Sequence, residues 1–233
     1  MPPLAKKCIE SWKIYFPDYE IKEWNESNFD VNITPYTAEA YKEKKYAFVS
    51  DYARFYILYK YGGLYFDTDV EVISNMDDIV AAGPFMGCEN EVILGADPES
   101  LGVAPGLGLG TYPGHVLYKE ILEMYSRQHF INNGALNLKT VVSYTTEILM
   151  RHGLESVDGI QQCCGIFIYP KEYFCPKDYR SNIMTITSNT RTIHHYTGTW
   201  MSFGERMKVL RARMIKKLNL TFIKNVINKC RGK

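Results

Sequence analysis

Apolar and polar residues follow one another along this chain with the periods of short helices and short strands. Between residues 4 and 16 the apolar side chains recur every three or four positions, which predicts an amphipathic helix. Other segments with helical spacing are 37–46, 115–125 and 140–150. Segments with the alternating or continuously apolar pattern of strands are 19–24, 85–88, 91–95 and 165–169. This mixture of helices and strands predicts an α/β fold.

The segment 50–70 combines a helix, a glycine pair and a strand. Its first half has apolar residues at three- and four-residue steps, which predicts a half-buried helix. Ser50 is the expected N-cap, because a serine hydroxyl can accept from the free N–H groups of the first turn. Gly62 and Gly63 are expected to end the helix, since glycine adopts the left-handed conformation without a steric penalty.

Four charged residues flank this glycine pair. Asp51 and Arg54 are three positions apart and therefore share one helical face, where such a pair is usually a weak surface ion pair. Asp67 and Asp69 follow the apolar segment 64–66, and two carboxylates at the end of a buried strand are costly without compensation. A divalent cation that also binds phosphate would supply the compensating positive charge. The alternative is an ordinary D-x-D in a surface turn.

Residues 50–70 read SDYARFYILYKYGGLYFDTDV. This stretch closely resembles the core motif of the DXD glycosyltransferases of family 32, which include bacterial capsular and polysaccharide sugar transferases and Och-type mannosyltransferases. Two flanking segments also look like that family: LAKKCIESWKIYFPDYEIKEWNESNFD and TIHHYTGTW. The resemblance implies a GT-A-like α/β fold, a Rossmann-type mixed sheet flanked by helices. That family usually begins with an apolar strand, and this chain begins directly at the predicted first helix. We therefore expect a misplaced start and a poorly soluble or weakly active 233-residue form.

The resemblance also implies roles for the acidic and basic residues. Asp69 would bind the metal directly, and Asp67 would contact the ribose and reach the metal through water. Asp51 and Arg54 would hold hydroxyl groups of the donor sugar and serve as the catalytic pair. Tyr65 is expected to form a wall of the donor pocket.

A third metal ligand is expected near the end of the fold. The segment HYTGTW, which begins at His195, resembles the part of retaining GT-A enzymes in which a histidine completes the metal shell. His195 is therefore the predicted ligand, and His194 is expected behind it or in the core. Imidazole suits Mn²⁺ better than Mg²⁺, so Mn²⁺ is the predicted ion, with Mg²⁺ as the alternative.

The predicted activity is that of a metal-dependent retaining glycosyltransferase in polysaccharide biosynthesis. Its donor would be a UDP- or GDP-sugar, and its acceptor a glycan or a lipid-linked oligosaccharide. Two alternatives stay open: a phosphatase of the haloacid dehalogenase type, which also uses a strand ending in D-x-D, and a catalytically inactive glycosyltransferase-like protein that serves as a scaffold or binding module. In that phosphatase fold the D-x-D follows the first strand, whereas here helices precede it.

Composition adds few constraints to this picture. The 233 residues carry a net charge of +1 and are 46% hydrophobic, which fits a globular protein and gives no signal for nucleic acid binding. No apolar run reaches the ~20 residues of a membrane span, and no signal peptide is evident, so we expect a cytoplasmic protein. The six cysteines lack metal-site spacing and are expected to be free thiols.

Two further segments have unusual composition. Residues 105–114 are rich in glycine but lack the pattern of a phosphate-binding loop, so the backbone there is expected to pass close to a packed helix or to the donor sugar. Residues 205–233 are strongly basic with interleaved apolar positions. We therefore divide the chain into a glycosyltransferase domain, 1–204, and a basic amphipathic helical segment, 205–233. That segment would either lie on the inner face of the cell membrane or pack on the domain.

Overall fold

A computed structural model describes residues 1–92, 97–178 and 183–198, together with residues 204, 207 and 211. Its α-helices are α1 (Pro3–Tyr15), α2 (Pro35–Lys42), α3 (Tyr46–Tyr61), α4 (Asp77–Ala82), α5 (Val116–Ser126), α6 (Val141–Arg151) and α7 (Lys171–Phe174). Its strands are β1 (Gly63–Tyr65), β2 (Val70–Val72), β3 (Phe85–Gly87), β4 (Leu109–Thr111), β5 (Ile131–Asn132), β6 (Ala135–Leu136), β7 (Gln161–Cys163), β8 (Ile166–Tyr169) and β9 (Thr192–His194).

Five strands form a mixed sheet in the order β1-β4-β3-β8-β7. Strand β4 is antiparallel to both β1 and β3, and β3 is parallel to β8. Strands β1, β3 and β8 therefore run in the same direction, so their carboxyl ends lie at one edge of the sheet. This mixed sheet flanked by helices confirms the predicted α/β class and is consistent with a GT-A-like fold.

The core lies on both faces of the sheet. Successive residues of β8 alternate between two hydrophobic clusters, as strand geometry requires: Ile166 and Ile168 join one cluster, and Tyr169 joins the other. The first cluster packs under α3, α5 and α6, with Phe55 among its fully buried residues. The second packs beneath α1 and includes Val70 of β2.

Helix α1 is fastened to the strand that follows the acidic motif. The indole N–H of Trp12 donates to the carbonyl of Val70 at 2.8 Å, and the hydroxyl of Ser11 accepts from the N–H of Val72 at 2.9 Å. Strand β2 also pairs with β9, so the acidic motif lies between a helix and a strand from opposite ends of the chain. The position of β2 is thus set by long-range contacts.

The helix predicted in the segment 50–70 is present but starts earlier. Helix α3 begins at Tyr46, and the hydroxyl of Ser50 donates to the carbonyl of Ala47 inside it, so the prediction of Ser50 as N-cap was wrong. Gly62 ends the helix as expected, with φ of +68° and its N–H bonded to the carbonyl of Leu58.

Most other predicted elements are confirmed with small shifts. Helices α1, α5 and α6 match their predicted segments, with Thr140 capping α6 through a hydrogen bond from the Ser143 N–H. The strand predicted over 19–24 was wrong: Tyr19 is 47% exposed and Ile21 is 43% exposed, so the alternating side chains there have no core to enter. Residues 91–92 are not strand, and the rest of the segment 91–95 lies outside the described residues.

The described part of the chain confirms the thiol prediction: Cys8, Cys88, Cys163, Cys164 and Cys175 are free. Among the described residues, no helix combines the length and the apolar character needed to cross a bilayer. The basic segment 205–233 lies outside the described residues except for Met207 and Arg211, so its predicted helix and the domain division stay predictions.

Candidate metal and donor site

The acidic motif lies where β1 ends at the carboxyl edge of the sheet. The N–H of Asp67 donates to the carbonyl of Gly106 at 3.1 Å, and the N–H of Val70 donates to the carbonyl of Asp67 at 2.9 Å. The first bond ties the motif to the glycine-rich segment, and the second closes a tight turn. The backbone of the motif is therefore held on both sides.

Asp67 belongs to a group of charged side chains that connects the motif with α3. The hydroxyl of Tyr65 donates to Asp67 Oδ1 at 2.8 Å, and Arg54 Nη1 lies 3.3 Å from the same oxygen. Arg54 Nη2 donates to Asp51 Oδ1 at 2.8 Å, and the guanidinium stacks on the Tyr65 ring at 4.8 Å. The structure therefore brings together the four residues predicted to contact the donor.

The electrostatics of this group are dominated by burial. The side chain of Arg54 is only 5% exposed, and its guanidinium lies between the carboxylates of Asp51 and Asp67. Burial raises the pKa of Asp51 to about 6, while the Arg54 charge acts in the opposite direction. Two carboxylates around one guanidinium leave the group with an excess of negative charge, which favours the approach of a cation.

Asp69 is held from the far end of the chain. His194 Nε2 lies 3.1 Å from Asp69 Oδ1, while the N–H and the hydroxyl of Thr197 donate to Oδ2 at 2.9 Å and 2.8 Å. Burial acts to raise the pKa of Asp69, but these hydrogen bonds hold that pKa well below its usual value. Asp69 is therefore ionised at neutral pH, as a metal ligand must be.

The carboxylates of Asp67 and Asp69 and the imidazole of His194 fit a single metal ion. One ligand atom from each side chain lies within 4.8 Å of the other two, which matches the spacing around one divalent ion. The Nδ1 atom of His194 is buried and lacks a hydrogen-bond partner among the described residues. Two carboxylates and one imidazole are side chains that divalent metal ions take as ligands in proteins.

The structure places His194, rather than the predicted His195, beside this carboxylate pair. His194 is the last residue of β9 and pairs with Val70 of β2, and His195 follows directly after the strand with its side chain on the other side of this two-stranded ribbon. His195 Nε2 instead lies 2.9 Å from Glu71 Oε2, and Lys7 also binds Glu71. The geometry therefore favours His194 as the third ligand and gives His195 a role in joining α1 to the ribbon.

The glycine-rich segment passes directly behind the acidic motif. A Cβ atom on Gly106 would lie 2.2 Å from Asp67 Oδ2 and 3.4 Å from Arg54 Nη1. Only glycine leaves room for the carboxylate in its present position. The sequence predicted that this segment passes close to a packed helix or to the donor sugar. Neither interpretation named the acidic motif itself.

Three residues of the site were not predicted: Gly106, Thr197 and Glu89. Glu89 follows β3 at the same sheet edge, where burial raises its pKa while His194 and Lys171 act in the opposite direction. A carboxylate directly beyond a buried apolar strand was the available signal, because ligands of α/β sheets bind at the carboxyl ends of strands. Thr197 gave no comparable signal, since its role depends on contact with a residue 128 positions away.

One comparison with known proteins gives a match, and that match covers the first part of the chain. Comparisons with curated proteins and with solved structures found no match. Residues 2–86 match the family described as glycosyltransferase sugar-binding region containing DXD motif. The matched segment holds Asp51, Arg54, Asp67 and Asp69, which supports a glycosyltransferase role for this site.

Proposed function

We propose that this protein is a metal-dependent glycosyltransferase that transfers a sugar from a nucleotide-sugar donor. The observation that carries the proposal is the grouping of Asp67, Asp69 and His194 ligand atoms within 4.8 Å at the carboxyl end of β1. The adjacent Arg54–Asp51 pair supports it, since a buried charged pair can orient sugar hydroxyls through strong hydrogen bonds. The match of residues 2–86 to a sugar-binding region points the same way.

The chemistry of such a transfer fits the residues present. Breaking the bond from the sugar to a diphosphate places negative charge on the leaving phosphate oxygens, and a bound Mn²⁺ or Mg²⁺ would supply the compensating charge. Asp67, Asp69 and His194 would hold that ion. Arg54 and Asp51 would fix the orientation of the donor sugar, and Tyr65 keeps both Arg54 and Asp67 in place through its ring and hydroxyl.

The finer assignments follow from the resemblance of the motif. We infer a UDP- or GDP-sugar donor, retention of the anomeric configuration and a glycan or lipid-linked acceptor in polysaccharide synthesis. A peripheral membrane contact through residues 205–233 stays a prediction.

The test is release of nucleotide diphosphate from a panel of UDP- and GDP-sugars, with Mn²⁺ present and after its removal by a chelator. We expect release from at least one donor only when Mn²⁺ is present, and loss of that release in Asp69→Asn. The matched control is Asp18→Asn, an exposed aspartate on the loop after α1, which should behave as the unmodified protein. Cleavage of phosphomonoesters instead would indicate a phosphatase, and an inert folded protein would indicate a binding module.

A further inference from the structure

The histidine of the candidate metal site has one ring nitrogen without a partner. His194 Nε2 lies 3.1 Å from Asp69 Oδ1, while Nδ1 is buried and has no hydrogen-bond partner among the described residues. A neutral histidine that binds a metal through Nε2 carries its proton on Nδ1. A buried N–H group without an acceptor destabilises the folded protein, so this Nδ1–H group requires an acceptor.

Strand pairing shows which way the His194 side chain points. His194 is opposite Val70 in the β2–β9 ribbon, and residues directly opposite each other in an antiparallel pair have their side chains on the same face. Val70 is a fully buried member of the second hydrophobic cluster, against which Tyr196 also packs. The imidazole of His194 therefore lies on the side of this cluster, and its ring centroid is 4.0 Å from that of Tyr196.

The direction of the Glu89 side chain follows from the alternation along β3. Met86 and Cys88 belong to the first hydrophobic cluster, whereas a Cβ atom on Gly87, between them, would meet Phe174 of the second. Successive side chains of a strand point to opposite faces. Glu89, the next residue after Cys88, therefore points toward the second cluster.

Backbone contacts keep this alternation beyond the end of β3. Cys88 forms an antiparallel bridge with Val103, and the N–H of Glu89 donates to the carbonyl of Gly102 at 2.9 Å. A Cβ atom on Gly102 would lie 3.0 Å from Cγ of Glu89, so the glutamate side chain lies against the backbone of that glycine. Glu89 of the five-stranded sheet and His194 of the β2–β9 ribbon are therefore both directed at the second cluster.

The carboxylate of Glu89 is half-buried and makes no side-chain hydrogen bond with the described residues. Burial raises the pKa of Glu89, and His194 and Lys171 act in the opposite direction. Lys171 also lies 3.5 Å from Glu91, so a second carboxylate already compensates this lysine. Glu89 is thus an acceptor without a donor, within electrostatic range of an imidazole whose Nδ1 has no partner.

We propose that Glu89 is a positioning residue of the metal site and accepts a hydrogen bond from His194 Nδ1–H when Nε2 holds the ion. The described residues show no direct bond between the two side chains, so the contact forms through rotation of the Glu89 side chain or through one water molecule. Such a carboxylate fixes the tautomer and the orientation of a metal-binding imidazole and raises its basicity. The inference rests on the metal site of the transferase proposed above.

The test is a double-mutant cycle on Mn²⁺ affinity, measured by electron paramagnetic resonance with UDP or GDP present. We expect Glu89→Ala to raise the Kd for Mn²⁺ by about tenfold or more, the usual effect of removing a group that supports a metal ligand. In the His194→Ala background the same substitution should change the Kd by less than about twofold, because its effect passes through the imidazole.

A second variant guards against loss of folding. Glu89→Gln keeps the size of the side chain and removes its charge, and it should raise the Kd by about threefold or more, since an amide oxygen is a weaker acceptor than a carboxylate. The matched control is Glu91→Ala, a glutamate two positions further along whose side chain is 81% exposed. This control should leave the Kd within about twofold of the value of the unmodified protein, because exposed ion pairs contribute little.

The outcomes separate this inference from the function on which it rests. Unchanged Mn²⁺ affinity in Asp69→Asn would reject the metal site itself. Weaker binding in Asp69→Asn together with unchanged binding in both Glu89 variants would overturn only the role of Glu89. Equal losses from Glu89→Ala with and without His194 would also overturn it, because Glu89 would then act independently of the imidazole.

Discussion

At the scale of single residues, the site depends on which of two adjacent histidines faces the carboxylates. His194 reaches Asp69, while His195 reaches Glu71 on the other side of the ribbon. The two side chains are chemically identical, so only the direction in which each leaves the backbone at the end of β9 separates a candidate ligand from a structural contact. Variants of His194 and His195 can therefore be compared directly.

We predict that His194→Ala lowers the affinity for Mn²⁺ by at least about tenfold, because a metal ligand or its close support is lost. His195→Ala should leave Mn²⁺ affinity within about twofold and mainly weaken the contact of α1 with β2. Titration of Mn²⁺ by electron paramagnetic resonance, with UDP or GDP present, measures both. The opposite order of the two variants would restore His195 as the ligand.

The second prediction at this scale concerns Gly106. A methyl group there would meet Asp67 Oδ2 at 2.2 Å, so Gly106→Ala must displace the carboxylate or the segment itself. We expect Mn²⁺-dependent nucleotide release to fall by about tenfold or more, since a displacement of about 1 Å at a site can cost 100-fold in rate.

Gly134→Ala is the matched control for this prediction. Gly134 has φ of +82° and open space around its Cβ position, so alanine there strains the backbone without touching the site. It should cost on the order of 1 kcal/mol in stability and leave nucleotide release unchanged. If Gly106→Ala released nucleotide at the rate of this control, the close approach would have no functional role.

At the scale of elements, polar side chains fasten helices to distant loops. Glu39 of α2 accepts from the N–H groups of Phe130 and Ile131 at 2.8 Å and 2.9 Å, and lies 2.7 Å from His129 Nδ1. One carboxylate thus holds the end of the loop after α5 against α2. Burial acts to raise the pKa of Glu39, but these hydrogen bonds lower it below its usual value.

We predict that Glu39→Gln lowers the free energy of unfolding at pH 7 by about 1.5 to 3 kcal/mol, the usual value for hydrogen bonds to a charged group. The folded-state pKa is lower than the unfolded value of about 4.3. The stabilisation is therefore complete above that unfolded value and is lost as the pH falls through the lower folded-state pKa.

Urea unfolding of the two proteins at pH 7 and at pH 3 measures this difference. Glu43→Gln, at an exposed position just beyond α2, is the control and should change little at either pH. A destabilisation by Glu39→Gln that is as large at pH 3 as at pH 7 would contradict the ionic contribution.

At the scale of the whole molecule, the site joins parts of the chain that are far apart in sequence. Asp51 and Arg54 come from α3, the acidic pair from the turn between β1 and β2, and His194 from β9 near the end of the described chain. A ligand that bridges these parts binds only the folded protein. Its binding free energy therefore adds to the stability of the fold.

We predict that Mn²⁺ together with UDP or GDP raises the melting temperature by roughly 5 to 10 °C at ligand concentrations about 100 times the Kd. The estimate takes ~2.7 kcal/mol of linked stability and ~2–4 °C for each kcal/mol in a domain of this size. Differential scanning fluorimetry measures the shift, and Asp69→Asn should remove most of it. An equal shift in that variant would place the metal elsewhere.

The sequence alone determined the local structure and the chemical class of the site. The spacing of apolar residues predicted α1, α5 and α6, glycine at position 62 predicted the end of α3, and the pair Asp67 and Asp69 indicated a cation. These properties depend on interactions within a few residues, which the order of residues records directly.

The tertiary structure decided which distant groups meet. His194 pairs with a carboxylate 125 positions away, and Gly106 is required because Asp67 lies against it. Segment 19–24 pairs with no strand in the part of the chain that the structure describes. Contacts of this kind depend on how the whole chain packs, so no local pattern of residues could have specified them.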